Sequence, residues 1–147
     1  MTDRTISEQA EQLSKRRARM LPFLAVLFLL QQGSYFSGGG GQSVDHVKIA
    51  AWIVMSIVLL LAFGTGGAWL RPKAVRALAN DESTRAHRQL ATVFGFWATM
   101  GCALGIYAVD LFEPVSGREA VHLIFTAGIA TALLNFGMLE RRALRDA

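Results

Sequence analysis

The chain has 147 residues, of which 52% are hydrophobic and 18% charged, with a formal net charge of +4. That length fits one domain, and the apolar residues stand in solid blocks without a polar face every third or fourth position, which excludes an ordinary soluble helical bundle. The one cysteine, Cys102, excludes an intramolecular disulfide.

The N-terminal tail, residues 1–19, is basic. It opens with Thr5-Ile-Ser-Glu8, the spacing of a capping box, and Ile6, Leu13 and Met20 then recur every seven residues. This predicts a helix lying along lipid headgroups. The first apolar block, 20–36 (MLPFLAVLFLLQQGSYF), is the weakest of four. Pro22 lacks a backbone N–H and restricts Leu21, so a break or kink is expected between tail and span. From Pro22 to Phe36 the block spans only about 22 Å at 1.5 Å per residue, against a hydrocarbon core of roughly 30 Å. A signal peptide is the competing reading, but no A-x-A-like cleavage site follows.

SGGGGQS (37–43) predicts a flexible hairpin. The second span covers about 49–70, and its GTGG (64–67) reads as close helix packing, being too deep in an apolar run to cradle a phosphate. The third span covers 90–112 and the fourth 120–139, joined by the tight turn LFEPVSGRE, with a basic tail at 140–147. The fold class expected is all-α, an integral membrane four-helix bundle.

Thirteen of the fifteen Lys and Arg residues fall in the two tails and the 71–89 connection, leaving only Lys48 and Arg118 in the other loops. Basic loops remain cytoplasmic, so both termini are expected inside (N-in/C-in). The positive charge then reports topology and attraction to anionic headgroups, and requires no nucleic acid.

Small residues mark where spans can touch: Gly101-x-x-x-Gly105, Gly64 to Gly67, and Gly128-x-x-x-Ala132. Ordinary packing is the favoured reading over a dedicated dimer motif, although a homo-oligomer stays open. Asp110 falls half a turn from Gly101, which predicts that span three is packed on both sides, either inside the four-helix bundle or between a bundle face and another subunit. Asn135 is expected to bond across to Thr65 or Thr92.

Polar residues within spans are functional candidates by default. The outer half gathers Gln31 and Gln32, Asp45 and His46, Asp110 and Glu113, Glu119 and His122. Asp110, Glu119, His122, His46, Gln31 and Gln32 form a candidate transport or metal site, since imidazole and carboxylate suit zinc or iron. Glu119-x-x-His122 has the spacing of carboxylate-bridged di-iron bundles, but a second copy is missing. A bis-histidine haem site would have only His46 and His122 to use. Similarity to the small multidrug-resistance exporters ends at four spans, because the first span here carries no acid. Nucleophile elbows, phosphate loops and zinc-protease motifs are absent. No cofactor is expected, and an enzyme is the least favoured reading.

NDESTRAHR (80–88) concentrates the polar detail of the middle of the chain. Asn80 suits an N-cap, Asp81 and Glu82 suit the first turn, and Asp81 and Arg85 stand one turn apart, with Arg88 beyond. Followed by FGFW, the stretch resembles the N-D-E-x-T-R-x-x-R loop of small, uncharacterised bacterial inner-membrane proteins with four predicted spans. The resemblance covers about residues 79–97, the four-span layout and the ERRALRD tail. It implies a multi-pass protein of the bacterial inner membrane with a regulatory or partner-binding role. Asp81, Glu82, Arg85 and Arg88 are then the docking residues for a cytoplasmic protein. The alternative is a small transporter or ion-conducting subunit using the outer polar residues.

Overall fold

A computed structural model describes residues 3–36, 42–66 and 82–146. Nearly all of these are helical and none lies in a strand. Helix α1 spans Asp3–Phe36, α2 Gln42–Thr65, α3 Glu82–Asp110 and α4 Gly117–Asp146. By length and composition α2, α3 and α4 can each cross a membrane. Helix α1 is not among them, because Pro22, Gln31 and Gln32 interrupt its apolar run and KRRAR precedes it. The outward surface agrees: Trp97, Leu104 and Tyr107 are each at least two-thirds exposed. Apolar surface on that scale calls for lipid or a partner to cover it.

Pro22 does not separate tail from span as expected. Helix α1 continues through it as one 34-residue element, a rod of about 51 Å at 1.5 Å per residue. The proline is accommodated against the last helix, where a Cβ on Gly137 would collide with the Pro22 ring.

Helix α4, and not span three, is the hub. It packs along α3 and along α1, while α2 touches α1 and α4 more sparingly. Contacts fix the directions. Gly95 opposes Ala132 and Thr99 opposes Gly128, so α3 is antiparallel to α4. Trp52 meets His122 and Phe63 meets Phe136, so α2 runs parallel to α4. The core is small and dry: Ala25, Phe28, Leu59, Ala91, Leu133 and Phe136.

Only one face of α3 is buried, carrying Thr84, Ala91 and Gly95 at intervals of seven and four residues, two turns and then one. Small residues there allow α4 close: a Cβ on Gly95 would lie 2.9 Å from that of Ala132. Gly128 from the predicted stripe belongs to this contact, whereas Gly101 and Gly105 have no atom of another helix within 4 Å of a would-be Cβ. Among the described residues of one chain, packing of span three on its second side is therefore not found.

Helix α2 ends at Thr65, short of the expected Leu70. Gly66 takes a left-handed φ of 64° and its N–H returns to the Phe63 carbonyl at 3.2 Å, the usual way a glycine stops a helix. Gly66 thus terminates α2, and a Cβ at Gly64 would meet no atom within 4 Å among the described residues.

Candidate functional site

Two polar clusters occupy opposite ends of the apolar core. The first forms where the middle of α1 meets the start of α3 and the last turns of α4. Arg17 comes from the basic run KRRAR and Glu140 from ERRALRD, and both side chains are 3% exposed. Arg17 Nε donates to Glu140 Oε2 at 3.0 Å and its Nη2 makes a second, shorter bond to the same oxygen. Nη2 also donates to Thr84 Oγ1 at 3.0 Å, and the guanidinium lies 5.4 Å from the centre of the Phe136 ring. The other Glu140 oxygen meets His87 Nδ1 at 3.1 Å. A buried charge pair survives only when the remaining donors and lone pairs are also met, and here three helices supply them.

The same end satisfies groups that helix geometry leaves unpaired. The last carbonyls of a helix have no partner of their own. Arg88 Nη1 donates to the Gly64 carbonyl at 2.7 Å and Arg17 Nη1 to that of Gly66 at 3.4 Å, placing two cations at the negative end of α2. Pro22 has no N–H to offer the carbonyl four residues earlier, at Ala18. Arg141 Nε takes that carbonyl at 2.9 Å. The proline therefore creates the acceptor that receives α4.

Along the outer surface of α1, Lys15 bonds Glu11 at 2.6 Å. This hydrogen bond and the attraction behind it hold the Glu11 carboxyl below its ordinary range. The small contribution is present at neutral pH and is lost as acid protonates Glu11.

The second cluster lies at the end remote from the termini. Gln31 and Gln32 of α1, Val47, Lys48, Ala51 and Trp52 of α2, and His122 of α4 surround a cavity of about 170 Å³. Trp52 stacks on His122 with ring centres 3.9 Å apart. One turn further in stand Ser56 and Thr126. Gln31 Oε1, both amide atoms of Gln32, Trp52 Nε1, Ser56 Oγ and Thr126 Oγ1 are buried and make no hydrogen bond among the described residues. Each such group costs about 1–3 kcal/mol when left dry, so the cluster is built to be wetted or filled.

The predicted site residues divide between these ends. Of the outer set, Gln31, Gln32 and His122 come together in the cavity, joined by Trp52. Asp110 and Glu119 do not join them. Asp110 Oδ1 accepts from the Val115 N–H at 2.8 Å, and Glu119 accepts from the Ser116 N–H at 3.1 Å while the Ser116 hydroxyl caps the Glu119 N–H. That reciprocal pair is a capping box starting α4, and it explains both acids as turn-builders. His46 is exposed on α2 outside the cavity lining. Among the described residues no three His, Cys, Asp or Glu side chains come together as metal ligands would.

Of the predicted docking set, Glu82 and Arg85 face outward and Arg88 is engaged with α2, while Asp81 lies outside the described residues. The Asn80 cap, the Asp81–Arg85 pair and the glycines of the hairpin also fall there, whereas Thr5, expected to cap a helix start, lies inside α1, which begins two residues earlier at Asp3. Asn135 donates to the Thr131 carbonyl of its own helix at 2.9 Å, not across to Thr65 or Thr92, whose hydroxyls likewise donate within their own helices, to the Leu61 and Arg88 carbonyls.

Arg17, Glu140, Thr84, His87 and Trp52 are the residues that sequence reasoning missed. The signal for Thr84 and His87 was their shared face with Ala91 and Gly95; for Trp52 it was the four-residue spacing Lys48, Trp52, Ser56. In comparisons with known proteins, no family model matches the chain, and no curated protein or solved structure matches it.

Proposed function

We propose that this is a non-enzymatic four-helix bundle of the bacterial inner membrane, with both termini in the cytoplasm, that docks an acidic protein segment at its cytoplasmic end. The Arg17–Glu140 pair carries this reading. By tying α1, α3 and α4 together through buried groups, it fixes the start of α3 and the last turns of α4 against α1, with Lys15, Arg19, Arg85 and Arg145 exposed around it. Lys15, Arg19, Arg141 and Arg145 line a groove of about 480 Å³ between α1 and α4, and Arg85 projects from the start of α3. Guanidinium groups suit bidentate contact with carboxylates. Anionic headgroups are the competing occupant of the same charge.

Transport is the second reading, drawn from the outer polar cavity. Phe28, Leu59, Leu133 and Phe136, each at most 2% exposed, stand between that cavity and the inner clamp. A conducting path would have to cross this dry layer, which favours docking.

Two measurements test the docking reading. With Cys102 replaced by serine, a cysteine at Gly39 is expected to react with an impermeant reagent added outside the cell, and one at Ser83 only after lysis; the reverse pattern overturns the orientation. The protein in nanodiscs of zwitterionic lipid is expected to retain a cytoplasmic protein through an acidic segment. Arg19→Gln with Arg145→Gln should release it, and Arg71→Gln with Lys73→Gln should not. Equal loss in both double variants means diffuse electrostatics and rejects a specific groove.

A further inference from the structure

The outer cavity asks for a particular chemistry, whichever way the termini face. Gln32 is 7% exposed, and neither its amide N–H group nor its carbonyl has a hydrogen bond. Gln31 Oε1 and Trp52 Nε1 beside it are in the same condition. Counted by role, Gln32 Nε2 and Trp52 Nε1 are donors awaiting an acceptor. Gln32 Oε1 and Gln31 Oε1 are acceptors awaiting a donor.

The inventory discriminates among ligands. A carboxylate only accepts and an ammonium only donates, so either would leave half of these buried groups unpaired. A primary carboxamide has two N–H bonds and a carbonyl with two lone pairs, which matches the four groups one for one. Its amide face also pairs reciprocally with Gln32. Among the described residues Lys48 is the only charged one lining the space, and Val47, Ala51 and the Trp52 ring offer apolar surface for the rest of the molecule.

Size agrees with a bound molecule. A cavity of about 170 Å³ holds roughly five waters at about 30 Å³ each, more than the four groups need. Further in along α1 and α2, beyond the lining of the recess, Phe28 and Leu59 are essentially fully buried in the apolar core. We propose that this recess binds a small uncharged molecule whose head is a primary carboxamide and whose body is apolar.

The test uses the full chain with Trp69→Phe and Trp97→Phe, so that Trp52 alone reports, and benzamide as the probe. Benzamide is expected to change Trp52 emission saturably, while benzoate and toluene at equal concentration give no saturable change. Gln32→Leu, which keeps the volume and removes both amide roles, should weaken benzamide at least about tenfold. Helicity by circular dichroism checks that this variant is folded. Should it not fold, Gln31→Leu removes one acceptor and should weaken binding about threefold or more. A benzamide response that rises linearly and is unchanged by these substitutions would mean partition into lipid and a cavity holding water only. A saturable response to toluene as strong as that to benzamide would mean an apolar hole without amide recognition. Either result overturns the proposal.

Discussion

Arg17 Nε donates to Glu140 Oε2 at 3.0 Å across 123 residues of chain, within a site where both side chains are almost fully buried. Losing one partner strands the other's charge, at a cost of about 3–5 kcal/mol. Arg17→Met and Glu140→Leu are therefore each expected to destabilise strongly. The double variant should be less destabilised than the sum of the two, because it removes the stranded charge. Denaturant unfolding in micelles, followed by circular dichroism, measures all three. Additive losses would show that the two residues act separately.

The glycines give an internally controlled comparison. A Cβ at Gly128 meets the Thr99 hydroxyl and one at Gly137 meets the Pro22 ring, whereas Gly101 and Gly105 face open space. Gly128→Ala and Gly137→Ala should each cost about 1–3 kcal/mol through overpacking. Gly101→Ala and Gly105→Ala should stabilise α3 by up to about 1 kcal/mol, the ordinary gain of alanine over glycine in a helix. If the second pair destabilises instead, another chain covers that face, and cross-linking at Gly101 will trap it.

Arg88 makes a local prediction. Its bond to the Gly64 carbonyl at 2.7 Å closes the end of α2. Arg88→Ala should raise amide hydrogen exchange over the last turn of α2, with a loss of about 0.5–1.5 kcal/mol, and leave α1 unchanged. Arg85, exposed one turn earlier, should give no such change when replaced by alanine.

At the α3–α4 turn the acids are structural. Ser116→Ala removes the cap on the Glu119 N–H and should cost about 1 kcal/mol. Asp110→Asn keeps an oxygen for the Val115 N–H and should change stability by less than about 0.5 kcal/mol. Neither should alter benzamide binding in the recess, which they do not line. Loss of binding in Asp110→Asn would reinstate that residue as part of an outer site.

Much of the helical layout was legible because lipid imposes it. Long apolar blocks and basic tails are set by the solvent the chain must meet, and they identify α2, α3 and α4 directly. Gln31, Gln32 and His122 were visible as polar residues at an apolar depth. Arg17 and Glu140 were hidden because each stands within a run of charges, where composition treats every residue as surface. Glu140 stands beside Arg141 and Arg142 in a tail that also holds Arg145 and Asp146, and only the fold shows that it turns inward. The proline misled for a physical reason: the rule that Pro breaks a helix assumes the freed carbonyl finds no other donor, and Arg141 is that donor.

The central place of α4 has a consequence for biogenesis. Helices leave the ribosome in order, yet α1 finds its main partner in α4 and α3 does the same. Arg17 must wait with its charge until Glu140, 123 residues later, has been synthesised. Until then the first three helices have little to hold them to one another, and α1, the least apolar, has the weakest claim on the bilayer. Assembly is thus a late event that the final helix triggers, and a nascent chain stalled after α3 presents exposed Arg17 and Pro22 surfaces to the cell's membrane quality control.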